Sequence, residues 1–203
     1  MSNHPADDQV NFLALQQGEA AALNRLIARW QRPLHSFAYR YCQNQADAED
    51  VVAQTFVKLY QQRLRLRPDT RLSAWLFTTL TNFCHNHHRW KARHPTTPLN
   101  AAPDQNGAAP VQGFIQSQVS CEQLSPDQNL EHDETLEQVR TAINSLPHDL
   151  KVTILLHHYD QLPYREIAAI TGCSERGVET RLYRARQRLR DALIRVLPQV
   201  AHR

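Results

Sequence analysis

Along most of the chain, apolar residues return at steps of three and four with polar residues between them, the pattern of amphipathic helices. Leu13, Leu15, Ala20, Leu23, Leu26, Ile27 and Trp30 keep this spacing, and Leu34, Phe37, Ala38 and Tyr41 resume it after Pro33. Proline cannot supply the backbone N–H that a helix interior uses, so two short helices joined at Pro33 are predicted here. A third helix is predicted from Asp47 to about Gln62, capped by Asp47, with Glu49 and Asp50 in its first turn and a buried stripe of Val51, Val52, Thr55, Phe56, Leu59 and Tyr60. A basic loop over residues 63–71 leads to a fourth helix over 72–91. That helix carries Trp75, Leu76, Leu80 and Phe83 and ends in His87, His88, Arg89, Trp90 and Lys91. Trp75 and Phe83 read as core.

The pattern fails between residues 95 and 133, where Pro, Gln, Asn, Ser, Ala and acids dominate and large apolar groups are scarce. This is the composition of a flexible linker, and it sets the expected boundaries: an N-terminal domain over 1–94, a linker over 95–133 and a C-terminal domain over 134–203. Beyond it, Leu136, Val139, Ile143 and Leu146 mark one helix, Pro147 opens another with Leu150, Val152, Ile154 and Leu155, and Pro163 opens a third. The sharpest signal is residues 161–189, QLPYREIAAITGCSERGVETRLYRARQRL. A short helix over 164–170 is stopped at Gly172, which can take the positive φ of a tight turn, and Ser174 then caps a longer helix. Val178, Leu182, Ala185 and Leu189 form its buried face, leaving Arg176, Glu179, Thr180, Tyr183, Arg184 and Arg188 outside. This is a helix-turn-helix whose second helix suits a DNA major groove. The chain therefore reads as all-α: two small helical domains on a flexible acidic linker.

Composition narrows the classes further. The 203 residues, with 41% apolar and only 5 glycines, allow a core but few strand turns or phosphate loops. No apolar run approaches the ~20 residues of a membrane span. The polar, acidic start is no signal peptide, so a cytoplasmic protein without membrane insertion is expected. Charge is segregated: residues 1–93 carry net +5, residues 94–139 carry net −7 without one Lys or Arg, and residues 140–203 carry net +5. Two basic blocks suit polyanion, and an acidic middle would avoid or imitate it. Cys42, Cys84, Cys121 and Cys173 are scattered singly, as reduced thiols are. The run CHNHH at 84–88 offers Cys84 and His88 on one helical face, but a metal needs three or four converging ligands, so no metal or other cofactor is expected. No nucleophile and base set or paired carboxylates stand out; Asp7-Asp8 read as helix-start charges. An enzyme is not expected.

Two ordered segments carry a family resemblance. Residues 134–193, through LPHDLKVTILLHHYDQLPYREIA and TGCSERGVETRLYRARQRLR, resemble region 4 of bacterial sigma factors of the extracytoplasmic-function type. Residues 12–94, through DAEDVVAQTF and AWLFTTLTNF, resemble region 2 of the same family. The resemblance implies a protein that binds core RNA polymerase and directs it to promoters, reading the minus-35 element with region 4 and melting the minus-10 element with region 2. It also implies an anti-sigma partner. On it, Asp47, Glu49, Asp50, Gln54 and Phe56 face the clamp helices of the polymerase largest subunit, and region 4 meets the flap. Ala53-Gln54 stand where the family generally has Gln-Glu. Arg65, Arg67, Arg71, Asn82, His85, Asn86, Arg89 and Arg93 correspond to the part that captures non-template single strand, where melted bases need planar faces and the backbone needs cations. Thr78 stands where an arginine is usual. Arg176, Thr180, Arg181, Tyr183, Arg184 and Arg186 fall on minus-35 DNA, with Glu179 expected to pair with Arg176. The acidic linker would thread into the polymerase cleft.

Overall fold

A computed structural model describes residues 5–94 and 126–196, and the described residues form helices joined by turns. In the N-terminal bundle, α1 (Pro5–Gln16), α2 (Ala20–Cys42), α3 (Gln45–Gln62) and α4 (Leu72–Arg93) pack around α2, which touches the other three. In the C-terminal bundle, α5 (Pro126–Asn144), α6 (His148–His158) and α7 (Tyr164–Thr171) all lie against α8 (Glu175–Val196). Helix α5 thus begins inside the segment expected to be linker; residues 95–125 of that segment lie outside the described residues.

Several local expectations are corrected. Pro33 lies inside a single helix: the buried stripe Ala22, Leu26, Trp30, Leu34, Phe37, Ala38 and Tyr41 runs through it without a change of phase, so packing outweighs one forgone hydrogen bond. Asn44, not Asp47, caps α3, its side chain accepting from the Asp47 N–H at 3.0 Å. Tyr60 leaves the core and carries the Arg63 guanidinium 4.0 Å above its ring. Asp8 is no surface charge. It is buried between α1 and α2, accepting from Trp30 Nε1 at 3.1 Å and lying 3.0 Å from Arg29 Nε; burial raises its carboxyl, and these two partners oppose the rise. Phe77 sets its ring edgewise to Trp30 and Phe37, with centroids 6.3 and 5.8 Å away, while Trp75 and Phe83 pack half-buried against the same core.

The two bundles meet along a seam where α2 lies on α6 and α4 on α7. Helix α6 is buried on all sides from Leu150 to Leu156, because α8 and α7 cover one flank and α2 the other. Lys151 sits in that buried run. Its ammonium donates to the Tyr41 carbonyl at 2.7 Å and to Asn144 Oδ1 at 2.8 Å, and lies 4.2 Å over the Tyr41 ring. Three of the last carbonyls of α2 thereby find donors: Tyr39 accepts from the Gln43 N–H, Arg40 from Gln43 Nε2, and Tyr41 from Lys151. Tyr41 Oη and His148 Nδ1 are 2.9 Å apart, and the His85 and His148 rings lie against each other with centroids 4.1 Å apart and planes tilted by 34°. Thr78 Oγ1 donates to the Ile170 carbonyl at 2.9 Å, and Arg40 lies 4.6 Å over the Tyr159 ring.

Candidate nucleic-acid interface

The basic loop between α3 and α4 owes its shape to α1. Gln16 Nε2 donates to the carbonyls of Arg63 at 2.7 Å and Leu66 at 2.8 Å, while half-buried Leu66 packs on the core. A turn closed by the Thr70 N–H on the Arg67 carbonyl completes it. Arg65, Arg67 and Arg71 consequently stand exposed on a fixed backbone, and Arg67 reaches Asp69 at 3.0 Å in a surface pair of little strength. On α4, Asn82, Asn86, Arg89 and Arg93 are exposed, with Asn82 and Asn86 one turn apart as the spacing requires. His85 is not on this ledge. It is drawn into the seam against His148, where a cavity of about 190 Å³ opens between Tyr41, His85, His88, Asn144, His148 and Lys151.

Trp90 is a residue that sequence reasoning noticed without assigning. It is 53% exposed beside Arg89, Lys91 and Arg93, and its ring stacks on His94 with centroids 5.0 Å apart and planes 23° from parallel. Such an open ring among cations offers a face to an unpaired base. Its signal was an aromatic residue in a basic last turn.

Of the residues placed on the polymerase side, Glu49, Asp50 and Gln54 are exposed on the outer face of α3. Asp47 and Phe56 are not. Phe56 lies in the core, and the Asp47 side chain is 14% exposed, with His87 Nε2 at 3.1 Å and the Lys91 ammonium on its other oxygen. The outer face continues into Val57, Tyr60 and Leu64, at 56%, 47% and 70% exposure, so an acidic start runs into an open apolar strip. Sequence periodicity missed this strip because it assigned Tyr60 to the core.

The helix-turn-helix has the expected local chemistry. Gly172 takes φ +65°, Ser174 Oγ accepts from the Gly177 N–H at 3.1 Å, and Val178, Leu182 and Ala185 are buried. Arg176, Thr180, Tyr183, Arg184 and Arg186 are exposed on α8. Arg181 differs, half-buried with its guanidinium 3.5 Å from Asp149 on α6. Thr180 donates its hydroxyl to the Arg176 carbonyl at 2.9 Å, leaving its oxygen free to accept. The structure forms no Glu179–Arg176 pair; both side chains point to solvent, where an i,i+3 attraction is too weak to hold two long chains together. Cys84 is buried while His88 is exposed, so the CHNHH run does not converge. Among the described residues no three His, Cys, Asp or Glu side chains gather as a metal site, and no helix is long and apolar enough to cross a membrane.

Comparison with known proteins places both halves. The Sigma-70 region 2 family model matches residues 26–94 and the Sigma-70 region 4 model matches residues 136–189. The chain is 33% identical over 182 residues to the ECF RNA polymerase sigma-E factor of Salmonella typhimurium, covering 89% of this chain and 91% of that protein. Its fold is similar to that of CnrH solved in complex with the cytosolic domain of CnrY, at TM-score 0.64 and 23% identity, over 92% of this chain and 97% of that one. It is also similar to the sigma factor RpoE solved with the anti-sigma factor NepR from Bartonella quintana, at TM-score 0.55 and 24% identity, over 84% and 95% of the two chains.

Proposed function

The chain belongs to the extracytoplasmic-function branch of the sigma-70 family and is an alternative sigma factor; we propose that it acts through three separate surfaces. The outer face of α3, from Glu49, Asp50 and Gln54 to Val57, Tyr60 and Leu64, docks on the clamp helices of core RNA polymerase, with its carboxylates meeting a basic partner and its apolar strip becoming buried. The loop bearing Arg65, Arg67 and Arg71, with Asn82, Asn86, Arg89, Trp90 and Arg93 of α4, holds the melted minus-10 strand. Its cations follow phosphate, its amides read base edges, and Trp90 stacks. The start of α8 enters the major groove at the minus-35 element, with Arg176 and Thr180 nearest base edges and Arg184 and Arg186 on phosphate.

The protein contributes no bond-making chemistry of its own on this reading; polymerase does, and these surfaces decide where. It works in the cytoplasm, where promoter and polymerase are. An anti-sigma factor holds it inactive, a reading supported by the anti-sigma complex of the similar RpoE, and the open apolar strip on α3 is the face it covers. The observation that carries the proposal is the ordered pair in one chain: an arginine loop on a rigid backbone, and a separate helix-turn-helix with Gly172 and Ser174 in their turn and cap positions.

The test is run-off transcription on a library of promoter fragments with core polymerase and the full chain, beside an Asp50→Ala/Gln54→Ala variant. Specific starts that the variant loses, with DNA binding by the isolated factor unchanged, are the expected result. A folded chain that gives no starts, yet binds a palindromic duplex tightly without polymerase, would overturn the proposal in favour of a polymerase-independent regulator.

A further inference from the structure

The seam cavity of about 190 Å³ is walled mostly by groups that can donate hydrogen bonds. Tyr41 lines it from α2, His85 and His88 from α4, and Asn144, His148 and Lys151 from α5 and α6, so both bundles contribute. No carboxylate lines it. Asp149, the acid in the first turn of α6, is exposed and lies 3.5 Å from Arg181 instead. Lys151 is only 3% exposed, and among the described residues its ammonium contacts neutral groups alone: the Tyr41 carbonyl at 2.7 Å, Asn144 Oδ1 at 2.8 Å and the Tyr41 ring at 4.2 Å. We propose that this cavity is a binding site for a free tetrahedral oxyanion of the phosphate class, held by Lys151, Asn144 and His148 of one bundle and His85 of the other, and that the bound ion ties the two bundles together.

A buried cation is costly without an opposite charge beside it. The end of α2 offsets part of that cost through the Tyr41 carbonyl, but the start of α6 adds positive potential on the same wall. Helix α6 has no side-chain cap at Pro147, and the backbone N–H groups of His148 and Asp149 precede its first bonds, which run from Leu150 and Lys151 to the Pro147 carbonyl. The donors are also still available. Asn144 uses its oxygen on Lys151 and keeps its amide N–H groups, and His148 uses Nδ1 on Tyr41 and keeps Nε2. Burial pushes Lys151 down to about 8, so it is charged at neutral pH. The surplus of positive charge is felt around it: after burial, the charges of His85 and Lys151 push His148 down, and those of Lys151, His85 and His87 push His88 down.

Size selects within the class. A water occupies about 30 Å³ of liquid, so the space is worth about six waters, enough for one such ion with a partial shell but not for a base and sugar as well. Because its ligands come from both bundles, the ion binds only where they meet, and its binding free energy is added to the docked arrangement.

The experiment titrates inorganic phosphate into the full chain at constant ionic strength and follows the histidine ring signals by NMR. Both arginine surfaces attract phosphate, so the readout is the seam rather than total binding. His85 and His148 should shift together, saturating with one dissociation constant, while His157 and His158 at the far end of α6 stay in place, and the thermal midpoint should rise with saturation. Lys151→Met should weaken the effect at least tenfold. Asn144→Asp sets a carboxylate beside the ammonium, so it should raise the thermal midpoint without phosphate and abolish the ring shifts with it. Unmoved His85 and His148 signals in the wild type, or shifts of wild-type size in Asn144→Asp, would overturn the site. Equal shifts with adenosine monophosphate at the same concentration would overturn the free ion in favour of a nucleotide's phosphoryl group.

Discussion

Asp47 joins the start of α3 to the end of α4 through His87 and Lys91, and so acts inside the protein although its neighbours Glu49 and Asp50 act outside it. Asp47→Ala should lower folding stability by about 1–2 kcal/mol, the cost of removing the charged hydrogen bond to Lys91 at a partly buried site, read as a shift in urea midpoint. Asp50→Ala should leave that midpoint unchanged and weaken polymerase binding instead, measured by competition for core enzyme. Gln16 is the reverse case, a polar residue far from DNA that decides the shape of a DNA-facing loop. Removing its two bonds to the carbonyls of Arg63 and Leu66 frees that backbone, so Gln16→Ala should slow promoter opening several-fold in a permanganate footprint while duplex binding through α8 stays intact. The exposed arginines of both surfaces were legible in the sequence, because an unpaired guanidinium on a basic segment stays in solvent. His85, Arg181 and Gln16 were misplaced or missed because their partners lie on other elements, up to 63 positions away for His85 and His148, and periodicity carries no such information; periodicity did put Phe56 in the buried stripe where it lies, and only the family resemblance turned it outward.

Among the elements, α7, the turn and α8 were the most legible, since cap, turn glycine and buried face are all local. Gly172 sits at φ +65°, so Gly172→Ala should cost about 1 kcal/mol with no side-chain clash to add to it, and thermal unfolding will show the shift. Arg184→Ala, which removes a phosphate contact, should reduce transcription from its promoters several-fold and lessen the salt dependence of DNA binding, without loss of polymerase binding. Helix α2 misled because Pro33 looks like a break when only local bonds are weighed; its apolar stripe, continuous from Ala22 to Tyr41, has more burial to gain from staying straight. Helix α6 carried an overlooked signal. The run DLKVTILLHH has no polar face between Leu150 and Leu156, which already requires cover on both flanks, although nothing local says that α2 provides the second.

For the molecule as a whole, the seam answers to pH through two groups of opposite sign. His148, between His85, Lys151, Arg181 and Asp149, is pushed down to about 4, chiefly by burial and next by the His85 charge. A base held neutral in the fold stabilises it above its ordinary value near 6.5, and that contribution is lost as pH falls from there toward 4. Asp160, opposite Arg40, is pushed up to about 7 by burial, so its contribution is present at low pH and lost as pH rises from its ordinary value toward 7. The two slopes overlap and oppose each other. Against the wild-type urea midpoints between pH 4 and 6.5, Asp160→Asn should steepen the loss of stability in acid and His148→Asn should reduce it, each by about 1–2 kcal/mol after solvent screening. Equal slopes in all three proteins would show that neither group titrates as its burial requires. The seam also covers His85, so any contact of that ring with promoter DNA requires the bundles to part. The flank of α6 that would then be bared has a bearing on how the chain is made. Both helices that roof the seam precede α6 in the chain, so on the ribosome the roof emerges first and the apolar helix meets it as it leaves the tunnel. A nascent chain built in the opposite order would carry that bare helix through most of its synthesis, exposed to aggregation and to proteases.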